Sequence, residues 1–507
     1  MDAPVAADTS FAAVEFCQPT TVAVSPRSWG WPGDWSVFVA ILLQERTSIS
    51  SPDSAPQTLT EHLAWVERGE WTATQATAHA LQRVRELDAD LRAWVELSAE
   101  AALERAAELD SLSPTVRRSL PLFGVPIGVK DLFDLAGRPT GCGSARLRAG
   151  SPAASDAALV AMLRKAGGVI LGKTVTTHFA CFDPPATINP WDAQRTPGGS
   201  SSGSAVAVAT GMCLAALGSQ TGGSITRPAA FCGVVGWKPT FGTLSLAGVF
   251  PVAHSLDHPG PLVRTVEDLL PLARLFLNAP AIEGLAGFDP LANAASPQGE
   301  TASTRSSTCR PDHCAVVDDD FLSWADTDCR AVFQQAVSRV AESGVPVTTI
   351  HLPWSLKTVL AVHRRIMTAE IAHGHGAWLD QWPDDYLPAM RGLILEGMQT
   401  SEAEYHDALA QQRSMRQQID QILEPFTLWL TPATRGQAPL RTSTGEPTFN
   451  APFSLWGLPT VNLPMGRGAA GLPLSLQLAG RRGRDAALLQ AAVWCERLLG
   501  VEPHWEG

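Results

Sequence analysis

Two clusters of serine and glycine, Gly198-Gly199-Ser200-Ser201-Ser202-Gly203-Ser204 and Thr221-Gly222-Gly223-Ser224-Ile225, lie in one short stretch, with Ser200 and Ser224 24 residues apart. The chain between them is apolar, with Ala205-Val206-Ala207-Val208-Ala209 and Leu214-Ala215-Ala216-Leu217, which flexible Gly/Ser tethers are not. The clusters therefore read as two walls of one active site. Glycines beside a serine let the backbone approach a substrate and leave N–H groups free to meet a developing oxyanion. Ser204 to Met212 reads as a small-residue helix, and Ser204 suits the N-cap better than Ser200 does.

Lys130 ends the apolar run Val125-Pro126-Ile127-Gly128-Val129. Taken alone it reads as a surface lysine at a strand end. With the serine clusters present, the run reads as a strand that delivers Lys130 to the interior and turns Asp131 the other way. A serine hydroxyl is a weak nucleophile until a base takes its proton, and lysine serves as that base in one variant of the catalytic triad. Only ~0.04% of an ordinary lysine is neutral at pH 7. Burial without a carboxylate partner would bring the pKa to about 7 to 8, where proton transfer is efficient.

The rest of the chain alternates helical and strand patterns. Apolar residues recur at helical spacing from Leu59 to Leu87, and Leu91 to Leu109 continues as an alanine-rich helical pattern. Val125 to Val129 reads as a strand, Asp156 to Ala166 as a helix capped by Ser155 and stopped at Gly167, and Val169-Ile170-Leu171 as a short strand. Such alternation suggests βαβ units. Residues 279–314 are rich in Ala, Pro, Ser, Thr and Gly and read as a flexible insertion. Helical patterns resume over 328–343 and over 357–424, the expected cover of the substrate pocket, and 426–432 and 472–478 read as returning strands. Residues 1–56 read as a poorly ordered N-terminal extension. They lack a basic n-region, and their one apolar run, Val37 to Leu43, is too short to span a bilayer, so a cytoplasmic protein is the default expectation.

The stretch from Gly198 to Pro228, with Gly-Gly-Ser-Ser at its start, Thr-Gly-Gly-Ser-Ile at its end and the spacing between, resembles the signature of the amidase signature family. Gly124-Val125-Pro126-Ile127-Gly128-Val129-Lys130-Asp131, Gly172-Lys173-Thr174, Asn189-Pro190-Trp191, Phe231 to Pro239 and Phe449-Asn450-Ala451-Pro452 extend the likeness from about residue 57 to the C-terminus. The resemblance implies one α/β domain over 57–507, a three-layer α/β/α arrangement around a central mixed β-sheet, with 198–228 as its signature core. It also implies roles: Ser224 as acyl-accepting nucleophile, Ser200 as bridging serine held through a cis peptide, and Lys130 as terminal base. Backbone N–H groups of Thr221, Gly222, Gly223 and Ser224 would hold the oxyanion. In one place the chain departs from the family's commonest pattern. Gln220 stands where many members have aspartate and Thr226 where they have arginine, so both members of a bracing charge pair are gone together.

The expected activity is hydrolysis of a carboxylic amide through an acyl-serine intermediate, with no cofactor and no metal. A net charge of −12 disfavours nucleic acid, whose phosphates call for a basic surface. Small-molecule amides are the simpler substrates, and a homodimer is compatible with the chain. A glutaminase subunit of a tRNA-dependent amidotransferase is an alternative within the fold. A nucleotide-binding protein is an alternative from another class, because Gly167-Gly168-Val169-Ile170-Leu171-Gly172-Lys173-Thr174 satisfies the P-loop pattern. Its context argues against it, since a helix precedes the motif and three apolar residues fill the loop. Nine scattered cysteines do not resemble a disulfide framework, and Cys309, His313 and Cys314 lack zinc-finger spacing. His373 and His375 read as ordinary helix or loop residues.

Overall fold

Eleven strands of the computed structural model, which describes residues 55–277, 310–501 and 505, pair into one sheet. In chain order they are β1 (Trp94–Leu97), β2 (Pro126–Lys130), β3 (Val169–Thr174), β4 (Ala215–Gln220), β5 (Val235–Lys238), β6 (His258–Val263), β7 (Cys314–Val317), β8 (Val347–Ile350), β9 (Leu428–Pro432), β10 (Thr460–Arg467) and β11 (Pro473–Ala479). Across the sheet the order is β1-β3-β2-β4-β6-β5-β10-β11-β9-β7-β8. The trios β3-β2-β4 and β9-β7-β8 are parallel, and the remaining neighbours are antiparallel.

Every residue of β2, β3, β4 and β6 is buried, so their apolar residues come in consecutive runs and not in an alternating pattern, and the polar residues stand at the strand ends. Successive side chains nonetheless face opposite ways. Ile170 packs in one apolar cluster and its neighbours Val169 and Leu171 in another, and Ala216 is separated in the same way from Ala215 and Leu217. The first cluster includes Leu159, Val160 and Leu163 of helix Ala158–Lys165 and Leu488 and Leu489 of helix Asp485–Leu499. The second includes Ala80 and Val84 of helix Ala73–Leu91 and residues 205–209 of helix Ser202–Ala209. Helices thus cover both faces of the sheet, giving the three-layer α/β/α arrangement.

Register sets the site. Ile127 of β2 pairs with Ala215 and Val129 with Leu217, so Lys130 and the Ser219-Gln220 end of β4 emerge side by side at the carboxyl edge of the parallel trio. Ligands of open α/β sheets characteristically bind at such edges.

Several local expectations need correction. The alanine-rich stretch after Leu91 is not one helix, because Trp94–Leu97 forms β1 at the sheet edge before helix Ala99–Ser111 begins. Helix Ala158–Lys165 is preceded by Ala157 in the N-cap position, with no side-chain cap, so Ser155 does not serve there. Ser204 is not a cap either: the helix starts at Ser202, and Ser204 Oγ is 2.8 Å from Thr174 Oγ1 and donates to Leu217 O at 2.9 Å. The helical segment after 357 consists of three helices, Leu356–Gln381, Pro388–Gly397 and Glu402–Ile422. The expected N-terminal extension falls almost wholly, and the expected insertion largely, outside the described residues, and Cys314 opens β7. Among the described residues seven cysteines are all free thiols and all buried: Cys142, Cys181, Cys213, Cys232, Cys314, Cys329 and Cys495.

Candidate active site

Lys130 is fully buried at the end of β2. Its Nζ lies 2.7 Å from Ser200 Oγ, 2.9 Å from Ser219 Oγ and 3.4 Å from Ser219 O. No carboxylate is within ion-pair distance of it among the described residues. Burial therefore dominates and lowers its pKa to about 7, against a smaller opposing pull from Asp257. Asp131 does turn away, as alternation requires. It is buried and accepts from Lys173 Nζ at 3.1 Å.

The second serine cluster forms a loop whose carbonyls are all tied outward. Thr221 O is 3.0 Å from Nε2 of His363, Gly222 O accepts from Ser454 Oγ at 3.0 Å, Gly223 O from Arg227 N at 2.9 Å, and Ser224 O from Ser201 N at 3.2 Å. A carbonyl can only accept, so His363 carries its proton on Nε2, and burial pushes its pKa down to about 4. Among the described residues, the N–H groups of Thr221, Gly222, Gly223 and Ser224 donate to no protein group. Such a run of free backbone donors makes an anion-holding nest. Ser224 retains 8% of its exposure while Ser200 has 1%, so of the two serines only Ser224 is reachable from outside.

Ser200 is brought beside Lys130 by the turn that starts helix Ser202–Ala209. The Gly199–Ser200 peptide is cis. Gly198 takes φ +81°, and a Cβ there would stand 2.8 Å from Pro228 Cα, so both conformation and space demand glycine. Ser224 Oγ makes no hydrogen bond to Ser200 Oγ among the described residues. In enzyme sites such contacts commonly tighten only when substrate is bound.

The missing charge pair is replaced by neutral hydrogen bonds. Gln220 Oε1 accepts from the N–H of Ile225 and of Thr226, each at 3.0 Å, and its Nε2 donates to Ser454 Oγ at 3.2 Å. Four further residues that the sequence did not single out complete the loop. Ser219 flanks Lys130, and Ser454 and His363 hold loop carbonyls. Asp257 accepts from Thr221 Oγ1 at 2.5 Å and from Val252 N and Ala253 N at 2.9 and 3.1 Å. Burial raises the Asp257 pKa to about 6 in spite of those donors. Sequence distance hides Asp257, His363 and Ser454, none of which lies near the serine clusters, and the role of Ser219, two residues before the second cluster, depends on the register of β4.

The P-loop string is not a loop. Val169–Thr174 is strand β3, and Lys173 is buried with Nζ bonded to Asp131 Oδ1 and, at 3.0 Å, to Thr140 Oγ1. Gly172 serves the sheet instead, because a Cβ there would come within 2.1 Å of Glu96 O on β1. Cys314 lies within β7, and His313 Nε2 is 2.8 Å from Thr348 Oγ1. His373 and His375 lie in helix Leu356–Gln381, where His375 Nδ1 is 2.9 Å from the Tyr386 hydroxyl. Among the described residues no helix is long and apolar enough to cross a membrane.

Comparison with known proteins identifies the family. The amidase family model matches residues 75–489. A glutamyl-tRNA(Gln) amidotransferase subunit of Moorella thermoacetica is 32% identical over 467 residues, spanning 84% of this chain and 93% of that protein. Peptide amidase from Stenotrophomonas maltophilia superposes with a TM-score of 0.73 at 27% identity, over 89% of this chain and 99% of that one. A structure reported for a vestigial protein complex bearing on the origins of an s-triazine catabolic enzyme gives a TM-score of 0.77 at 28% identity, over 88% and 99%. The chain thus belongs to the amidase family.

Proposed function

We propose that this protein hydrolyses a small-molecule carboxylic amide with Ser224 as nucleophile, Ser200 as proton bridge and Lys130 as base. The observation that carries the reading is the buried Lys130–Ser200 contact of 2.7 Å beside a loop whose N–H groups are free. A neutral Lys130 accepts the Ser200 proton while Ser200 takes that of Ser224, whose Oγ attacks the amide carbon. The carbonyl oxygen becomes an oxyanion held by the N–H groups of residues 221–224. On collapse the C–N bond breaks and the proton on Lys130 returns through Ser200 to the leaving nitrogen, which departs as ammonia or an amine. Water then attacks the acyl-serine and gives up its proton along the same path to Lys130; on collapse the bond from the acyl carbon to Ser224 Oγ breaks, the proton returns through Ser200 to Ser224, and the acid is released. Asp257 and His363 act as positioning residues, because they touch the loop and not the reacting atoms.

A fluorophosphonate followed by peptide mapping tests this. The adduct is expected on Ser224, and Ser224→Ala should lose several orders of magnitude in turnover. An adduct on Ser200 or Cys142 would overturn the assignment. The relatives named as amidotransferase subunits support a second reading, in which the protein releases ammonia from glutamine within a larger assembly. Ammonia release from simple amides by the protein alone favours the first reading, and activity on glutamine only with added partner proteins favours the second.

A further inference from the structure

A cavity of about 400 Å3, a volume in the range of small-molecule sites, opens at the end of the sheet opposite the candidate active site. Pro126, the first residue of β2, and Leu214, which leads into β4, form part of its wall. Lys130 is the last residue of the same β2. The cavity thus lies at the amino edge of the parallel trio, roughly 13 Å of strand from the catalytic base.

His62 lines the cavity at its inner end and is fully buried. Its Nε2 is 3.0 Å from Phe123 O, and a carbonyl only accepts, so the proton sits on Nε2 and Nδ1 is left as an acceptor. That Nδ1 is buried and has no hydrogen-bond partner. Burial pushes the pKa of the ring down to about 4, so at neutral pH Nδ1 takes no proton of its own. A buried acceptor left unpaired is costly until a donor reaches it.

Arg83 and Arg264 stand at the more open end, both only partly buried. Arg83 donates to Thr210 O from Nε and Nη2, each at 3.3 Å, and Arg264 Nη2 donates to Ala209 O at 2.8 Å, so both cap the C-terminal end of helix Ser202–Ala209. Capping uses only part of each fork. Among the described residues Arg264 forms no ion pair and its Nε no hydrogen bond, while its Nη1 goes to the neutral Gln57 Oε1 at 2.8 Å. Arg83 has Glu86 alone, at 3.5 Å on the exposed face of its helix. The two guanidiniums repel each other, which an anion in the cavity would relieve. The wall between the two ends is apolar. Ala76 is buried yet belongs to none of the apolar clusters of the molecule, so its methyl faces the cavity. Trp71, held edge-on to Trp65 at 6.0 Å, adds an aromatic surface.

We propose that this cavity binds a small aromatic acid at a site separate from the catalytic centre, with the carboxylate on Arg83 and Arg264, the ring against Trp71, and a hydroxyl or ring N–H donating to His62 Nδ1. None of these residues belongs to the proposed catalytic machinery, so the inference stands apart from the amidase reading.

Titration calorimetry on the full chain tests it with para-hydroxybenzoate, para-hydroxyphenylacetate and para-hydroxyphenylpropionate, which vary the reach between the two ends. At least one should bind with a Kd below about 1 mM. The matching acid without its hydroxyl, and para-cresol, which lacks the carboxylate, should each bind at least about tenfold more weakly, because each leaves one end of the cavity unpaired. Arg83→Met should weaken the hydroxy acid by about tenfold, and Ala76→Leu, which fills the cavity and removes no polar group, should abolish binding. Both variants should label at Ser224 with a fluorophosphonate as the native protein does. Native protein already labelled there should bind the acid with unchanged Kd. Failure of all three acids to bind, equal affinity for the acid without its hydroxyl, or full affinity in Arg83→Met overturns the proposal. Loss of binding once Ser224 is labelled overturns it too, by placing the acid in the catalytic site. If Ala76→Leu does not fold, Arg83→Met and the ligand series decide the question.

Discussion

Gln220 reaches Thr226 through the backbone and not through a charge, its Oε1 accepting the Thr226 N–H at 3.0 Å across the turn that carries Ser224. Thr226 Oγ1 is buried and has no partner of its own. The commoner aspartate–arginine pair and this neutral pair are therefore alternative ways to fix the same loop. Gln220→Asp alone should bury a carboxylate without its cation and lower both the melting temperature and kcat, at a cost of about 3 kcal/mol. Gln220→Asp with Thr226→Arg should recover most of the loss, and a double-mutant cycle by thermal unfolding measures the coupling. Additive losses would mean that the two positions do not communicate.

Lys130 should give the enzyme its rising pH profile. With a folded pKa of about 7, kcat/KM should climb through that pH and level off above it, because only the neutral amine accepts a proton. Stability moves in the same direction. The ordinary value is 10.5, so between about 7 and 10.5 the unfolded chain binds the proton that the folded one does not, and stability from this group rises with pH over that window. Lys130→Met should accordingly abolish turnover while raising the melting temperature near neutral pH, an exchange common at active sites. Calorimetry that shows Lys130→Met to be less stable at pH 7 would contradict the cost assigned to the buried lysine.

Asp257→Asn should damage catalysis without removing any reacting group. Asp257 uses one oxygen for Thr221 and the other for two backbone N–H groups; in asparagine the oxygen can keep the backbone donors only if the NH2 faces Thr221 Oγ1, which must then accept and turn its own proton elsewhere. The loop should shift, and kcat is expected to fall by roughly tenfold to a hundredfold, with KM less affected. Steady-state kinetics in which kcat is unchanged would remove Asp257 from the positioning role.

Lys173→Met should cost stability and leave the chemical step alone. It removes the buried partner of Asp131, which is left with Arg148 at 3.5 Å, and breaking a buried pair typically costs about 3–5 kcal/mol. Dialysis against a chelator, and omission of ATP, should leave the rate unchanged, since side chains and backbone donors fill every step proposed above. Activity that falls on chelation and returns with zinc, or that requires ATP, would place the protein in another reaction class.

The groups set in glycine-rich or apolar runs were legible in the sequence, and those that depend on register or distance were not. Ser200, Ser224 and Lys130 stand in patterns whose chemistry is specific, and the structure brings Lys130 against Ser200. The strand β1 stayed hidden because Trp94–Leu97 is only four residues long inside a helical composition, and tertiary pairing with β3 overrides local propensity. Asp257, His363 and Ser454 carry no local signal, because each acts on a loop far away in the chain. Arg227 is visible in the sequence as the neighbour of Thr226, but the burial of its guanidinium and the bond from its Nη2 to Gly199 O appear only once the chain is folded around it.

The seven buried thiols make the molecule its own reporter of opening. Burial raises every one of their pKa values, to about 12 for Cys213, Cys314 and Cys329, so alkylating reagents find almost no thiolate at these seven positions while the fold is closed. Cys142 and Cys181 stand near the candidate site, Cys213 and Cys232 beside the helices over one sheet face, and Cys314, Cys329 and Cys495 toward the opposite sheet edge. The order in which pulsed alkylation reaches them would then time, region by region, how the molecule comes apart, with no label introduced.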